Sequence, residues 1–141
     1  MTNGIVSGIS RKLHDAFGDS YEIYTEQVKQ GLKAPCFIIS CVNIASMPIV
    51  GVRYLRQALF SVAYFPKSGT RVKAECLDVQ ERLFVTLEYI DADGDLLRGT
   101  GMGGQIVDGT LVFTVNYDMH LRKDIEREPM ETITIKSKME G

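Results

Sequence analysis

One run of residues constrains this chain more than any other. In Leu111–Leu121, LVFTVNYDMHL, the apolar residues Leu111, Phe113, Val115, Tyr117, Met119 and Leu121 alternate with Val112, Thr114, Asn116, Asp118 and His120. Strict period two describes a strand with one face on a core and the other toward water or a partner. A helix would scatter the same residues around its circumference. The preceding VDGTL places Asp108-Gly109 between two strand runs, the strongest short hairpin signal a sequence carries. The run therefore has a strand before it, and the chain is built around a sheet.

The rest of the pattern supplies the neighbours of that strand. Ile5, Ile9, Leu13 and Phe17 recur every four residues, with Val6 and Ala16 beside them, which predicts an amphipathic helix over about residues 3–17. Thr2 or Asn3 is placed to cap its start and Gly18 to end it. YEIYTEQV alternates and fits a short strand. CFIISCVNI, Cys36–Ile44, is nearly continuously apolar and fits a strand buried on both faces near a sheet centre. ASMPIVG breaks the chain, and a long strand follows over Val52–Phe65, stopped by Pro66. Val72, Cys76, Val79, Leu83 and Leu87 mark a second helix over about Arg71–Tyr89, its apolar face broadened by Leu77, Phe84 and Val85. Ser68 or Thr70 is placed to cap it. Leu96–Val107 reads as a poor strand loosened by glycines. The order is α-β-β-β-α-β-β: an α+β fold with a single mostly antiparallel sheet and two helices packed on one face. Residues 1–122 form that domain, and 123–141 form a charged C-terminal extension. Its ETITIK segment alternates, and suits disorder or addition to a neighbour's sheet edge.

Composition removes several function classes. Sixteen basic and 18 acidic residues give a net charge of −2, without the basic excess of a nucleic-acid footprint. No apolar run approaches a membrane span, and the first residues lack the pattern of a signal peptide. Cys36, Cys41 and Cys76 form no C-x-x-C pair and sit in apolar runs, which reads as buried free thiols in a cytoplasm.

Two motifs point to chemistry and lack its context. In RGTGMGGQ, Gly99, Gly101 and Gly104 fit G-x-G-x-x-G. A dinucleotide turn needs a helix to open at the glycines, and strand and turn follow instead. DADGD spaces Asp91, Asp93 and Asp95 as calcium loops do. Counting Asp91 as position one, the glycine falls at four and Met102 at twelve, where such a loop needs glycine at six and glutamate at twelve. A polar helix-to-strand turn explains DADGD, and a kink or bulge explains the glycines. His14 and His120 read as surface residues. No constellation supports catalysis, so neither enzyme, cofactor nor metal is expected.

Whole phrases of the chain resemble the tail terminator, or tail completion, proteins of phages and phage-like contractile particles. They are GISRKLHDAFGDSYEIYTEQVKQGLKAPCFIIS, RYLRQALFSVAYFPKS, ERLFVTLEYI, LLRGTGM, QIVDG and VNYDMHLRK, together a little over half of the sequence. NIASMPIVGV departs from the family, which usually has a more polar, asparagine-rich turn there. The resemblance implies a structural subunit without catalytic residues. It would form a ring, typically a hexamer, at the head-proximal end of a tail tube. The ring would end tube polymerisation, meet the sheath protein in a contractile tail, and offer a surface to the head connector. DNA would pass through its lumen without specific binding, and no membrane is involved. Assembly would take place in the bacterial cytoplasm. For such a ring, the expected contact residues are Arg53, Tyr54, Arg56, Asp91, Asp93, Asp95, Arg98, Met102, Asp108, Arg122, Ile133 and Ile135, with the acidic turns nearer the lumen or a stacking face. The alternatives are a head–tail connector or neck protein, and a small metal- or nucleotide-binding domain using residues 91–104.

Overall fold

The chain runs through α1 (Thr2–Phe17), β1 (Glu22–Tyr24), β2 (Cys36–Pro48), β3 (Arg53–Phe65), α2 (Val72–Thr86), β4 (Tyr89–Ala92), β5 (Asp95–Val107), β6 (Thr110–Arg127) and β7 (Ile133–Met139). The computed structural model describes residues 2–25, 31–67, 69, 71–127 and 133–139. The strands form one sheet in the order β1-β2-β3-β6-β5-β4, with β7 also on β6. The fold is α+β as expected, but the sheet is mixed: β1 lies parallel to β2, and every other pair is antiparallel. Two strands join the expected order, β4 and β7.

β6 is the axis of the sheet. All six apolar residues of its alternating run are buried, while Val112, Thr114, Asn116 and Asp118 are half-buried and His120 is exposed. Cross-strand partners share a face, so the register extends this division sideways. Tyr64 sits beside Leu111, Val62 beside Phe113, Phe60 beside Val115 and Ala58 beside Tyr117. Both helices cover this inner face. α1 contributes Ile5, Ile9, Leu13 and Phe17, and α2 contributes Cys76, Val79 and Leu83, with Leu87 just beyond its end. Arg82 ties the helices together: its guanidinium stacks 4.0 Å from the Phe17 ring centre and donates to the Ala16 carbonyl. A cation at that spot also complements the negative end of the α1 dipole. Among the described residues the opposite sheet face has no helix on it.

Several local expectations change. α1 already includes Thr2 and Asn3, so neither caps it. Gly18 does end it, at φ 83°, donating to the His14 carbonyl. α2 stops at Thr86, three residues short of Tyr89, which opens β4. Leu77 and Val85 do not broaden its buried face; both are exposed. Arg71 is its N-cap and makes no side-chain cap bond; Ser68 and Thr70 lie outside the described residues. DADGD is a hairpin turn between β4 and β5, not a helix-to-strand turn. β6 runs unbroken across residue 122 to Arg127, and β7, Ile133–Met139, pairs back along it.

The largest departure is β2. Only Cys36–Ile39 is buried on both faces. The strand then continues through ASMP to Pro48, pairing with β3 to the tip of a long hairpin. Gly51, at φ 58°, closes that hairpin with bonds between Ile49 and Arg53 and between Arg53 and Val50. Among the described residues β1 covers only Cys36–Ile38, so β2 is an edge strand over Ile39–Pro48 rather than a central one.

Candidate assembly interface

The glycine segment lies inside β5, and packing accounts for it. The Gly99 amide donates to the Glu88 carbonyl at 2.6 Å. A Cβ there would meet the Leu87 carbonyl oxygen at 2.7 Å. That oxygen also accepts the buried Tyr117 hydroxyl at 2.8 Å, so the α2–β4 link is clamped onto the sheet where Gly99 lets it approach. Gly101, at φ 56°, sits in a bulge between Thr100 and Gly103, as the sequence suggested. β5 then continues to Val107 and turns straight into β6. No helix opens at these glycines to receive a phosphate.

The acidic turns are equally structural. Asp93 and Gly94 take positive φ, 54° and 90°, closing a tight hairpin. The Asp91 carboxylate accepts the Gly94 amide at 2.8 Å. Asp93 lies against Gly4 in the first turn of α1, where a carboxylate suits the positive end of the helix dipole. Asp108 occupies the β5–β6 turn, at the other end of β5 from Asp91, Asp93 and Asp95. These four carboxylates do not converge. Among the described residues no group of three His, Cys, Asp or Glu is placed to hold a metal.

The remaining expected contacts scatter. Arg53 and Arg122 are direct cross-strand partners near the β2–β3 tip, both exposed on the open face. Tyr54 is 5 % exposed and belongs to the core, not to a contact surface. Arg56 is half-buried, 5.3 Å from the Tyr54 ring centre. Arg98 is exposed, 3.8 Å from Glu88 and 5.9 Å from the Tyr89 ring centre. Met102 turns back onto the core as a half-buried residue rather than outward. Ile133 and Ile135 lie on β7, opposite Arg127 and Ile125; their side chains are outside the described set. His14 is a surface residue as expected, 3.3 Å from Asp19.

What the residue-by-residue reading missed is the hairpin arm. Val50 is 73 % exposed, Val42 55 %, Ile49 52 %, Met47 43 % and Ile44 42 %. No charged residue stands between Lys33 and Arg53. Cys41 is exposed on the same strand, contrary to the expectation of three buried thiols. Proteins normally guard an edge strand with charges, and contiguous exposed apolar surface marks a contact. The missing charges were visible in the sequence. The exposure was not, because a buried strand carries the same composition.

Buried hydroxyls and thiols set a pH response. Burial pushes the Tyr117 hydroxyl above its ordinary 10.0. Tyr64 is pushed up by burial first and by Glu75 second. Cys36 and Cys76 rise above 9.0, again through burial first and then Glu22 and Glu75 respectively. The folded state therefore holds protons that the unfolded chain releases. Stability from these groups is complete below about pH 9 and falls as the pH climbs through 10 toward the folded values. Tyr117→Phe should cost about 1–2 kcal/mol at neutral pH by removing a donor from the Leu87 carbonyl. It should also lose less on moving to about pH 10.5 than the parent chain does, as read by urea unfolding at both pH values.

A family model described as phage tail terminator protein matches residues 4–129. The chain belongs to that family. The match spans both helices, β1 to β5 and all of β6, so it covers the core and the hairpin arm alike. A phage tail terminator protein is a structural component of the virion tail, which agrees with a molecule whose motifs resolve into turns and packing. No curated protein matches the chain.

Proposed function

We propose that this phage tail terminator forms a ring at the head-proximal end of the tail tube, stops tube growth there, and presents the surface to which the head attaches. The observation that carries the reading is the exposed, apolar β2–β3 arm, whose β2 strand and turn carry no charge, on a member of this family. A subunit that works by contact has to bury such a surface on another protein. In a contractile tail the same ring meets the last sheath ring. The lumen passes DNA without gripping it, since phosphates are held mainly by Lys and Arg and the chain carries a net charge of −2. With acidic turns at opposite ends of β5, Asp91, Asp93 and Asp95 suit one stacking face and Asp108 the other, in place of a single acidic belt.

Electron microscopy of tails assembled without this protein tests the reading. Tubes of variable, excessive length are the expected result. Tails of normal length that fail only to join heads would instead indicate a connector acting after termination.

A further inference from the structure

Among the described residues the sheet has two free edges at the arm end, and they match. There the strand order is β2-β3-β6-β7. β3 fills one side of β6 at Leu121 and Arg122, so β7 must lie on the other, the side that β5 occupies from Thr110 to Tyr117. Among the described residues the free edge of β2 spans Ile39–Pro48, beyond its last β1 partner, Ile38. The free edge of β7 spans Ile133–Met139, and among the described residues β6 is its one neighbour. β7 also backs a stretch of β6, beyond Arg122, that β3 does not reach. A two-stranded ribbon of that kind is marginal in water by itself.

We infer that β7 of one copy pairs with the outer edge of β2 in the next, so that the β2-β3-β6-β7 sheets of successive copies close into one continuous ring of strands. The inference rests on the ring proposed above and names its subunit contact. Strand direction supports it. Four strands that alternate in direction begin and end antiparallel, so joining β7 to a rotated copy of β2 continues the antiparallel ladder without reversing a subunit. The stagger supports it too. Pro48, Tyr54, Leu121 and Met139 share one row across the sheet. β2 extends from that row in one direction and β7 in the other. Joined edges therefore step along the strand direction from copy to copy, as the inclined strands of a closed barrel do. Heterologous contacts of this kind generate rings when the rotation closes. The absence of charge on the β2 edge is the last support, since an edge built to remain single would be guarded.

Disulfide trapping tests the contact. The background carries Cys41→Ser, which removes the exposed thiol; Cys36 and Cys76 are buried. Lys136→Cys on β7 is combined in turn with a single cysteine at each position from Asn43 to Pro48. Within one chain, β2 and β7 stand three strand spacings apart, about 14 Å, beyond disulfide reach. A bond therefore reports two copies. The expected result is a covalent ladder, ending at the subunit number of the ring, for at least one double variant, and none for Lys136→Cys alone. Rings seen by light scattering and negative staining without a cross-link at any position would overturn this contact and leave the ring standing. Dimers from a β2 cysteine alone would overturn it in favour of β2–β2 pairing. A chain monomeric at every concentration would overturn both readings. Ile44→Lys provides a second check: it should give monomers with an unchanged circular dichroism spectrum, and a ring that survives it would count against the contact.

Discussion

Replacing Phe113 by alanine should lower stability by about 3–5 kcal/mol, the largest single loss expected in this chain. Phe113 is fully buried on the inner face of β6, the most connected strand. Val62 flanks it on β3, and Gly104 flanks it on β5. Above it the Phe84 ring of α2 meets it edge-on, with centres 5.4 Å apart. Alanine would remove the ring and leave a void between α2 and the sheet. Gly104 has no side chain with which to fill that void, so collapse is limited, and limited collapse puts a cavity at the costly end of its range. A loss of this size is a large share of the 5–15 kcal/mol that holds a typical domain together. Phe113→Leu keeps most of the volume and should cost under about 1.5 kcal/mol. Urea unfolding of both variants checks the pair. Equal losses would mean that α2 does not pack where Phe113 places it.

Gly8→Val should destabilise by about 3 kcal/mol, and Gly8→Ala by about 1–2 kcal/mol. Helix propensity alone predicts the opposite sign for alanine, a gain of about 1 kcal/mol in a helix interior. Contact decides the matter. A Cβ on Gly8 would sit 2.5 Å from the Asp91 carbonyl oxygen and 3.2 Å from its carbon. Those are backbone atoms of β4, paired with β5 and unable to swing aside as a flexible side chain would. α1 would have to lift from β4, loosening Ile5 and Ile9 from the core. Gly103→Ala is the control, because a Cβ there meets nothing within 4 Å. A thermal melt showing Gly8→Ala more stable than the parent would mean that α1 does not rest on β4.

β6 was legible residue by residue because it is buried on one face only, and half-burial writes itself as alternation. α1 was legible for the corresponding reason at period 3.6. β4 was not. Leu87 and Ile90 continue the spacing of Val79 and Leu83, so apolar pattern alone carries α2 past Thr86, where the chain in fact leaves the helix and enters a strand. The parallel β1–β2 pair was hidden because composition records burial and not the direction of the neighbour. The arm was misread on a deeper ground. Hydrophobicity shows that a residue avoids water, but not whether its shelter lies in its own core or in another molecule. For the same reason the acidic turns could be read as turns, while their separation along β5 could not. Nothing in the spacing of Arg82 announces the Phe17 ring it stacks on.

The pairing of β3 with β6 has a consequence for how the chain is made. Gln57 and Asp118, bonded across that pair, are 61 residues apart. Contacts so distant in sequence form slowly. During synthesis the β2–β3 hairpin leaves the ribosome well before the strand that backs it, and for that interval the apolar face of β3 is uncovered together with the unguarded edge of β2. Two nascent chains on one message would present these surfaces to each other. Fast, warm overproduction should therefore drive the protein into aggregates, while slow synthesis in the cold should give each chain time to complete its own sheet.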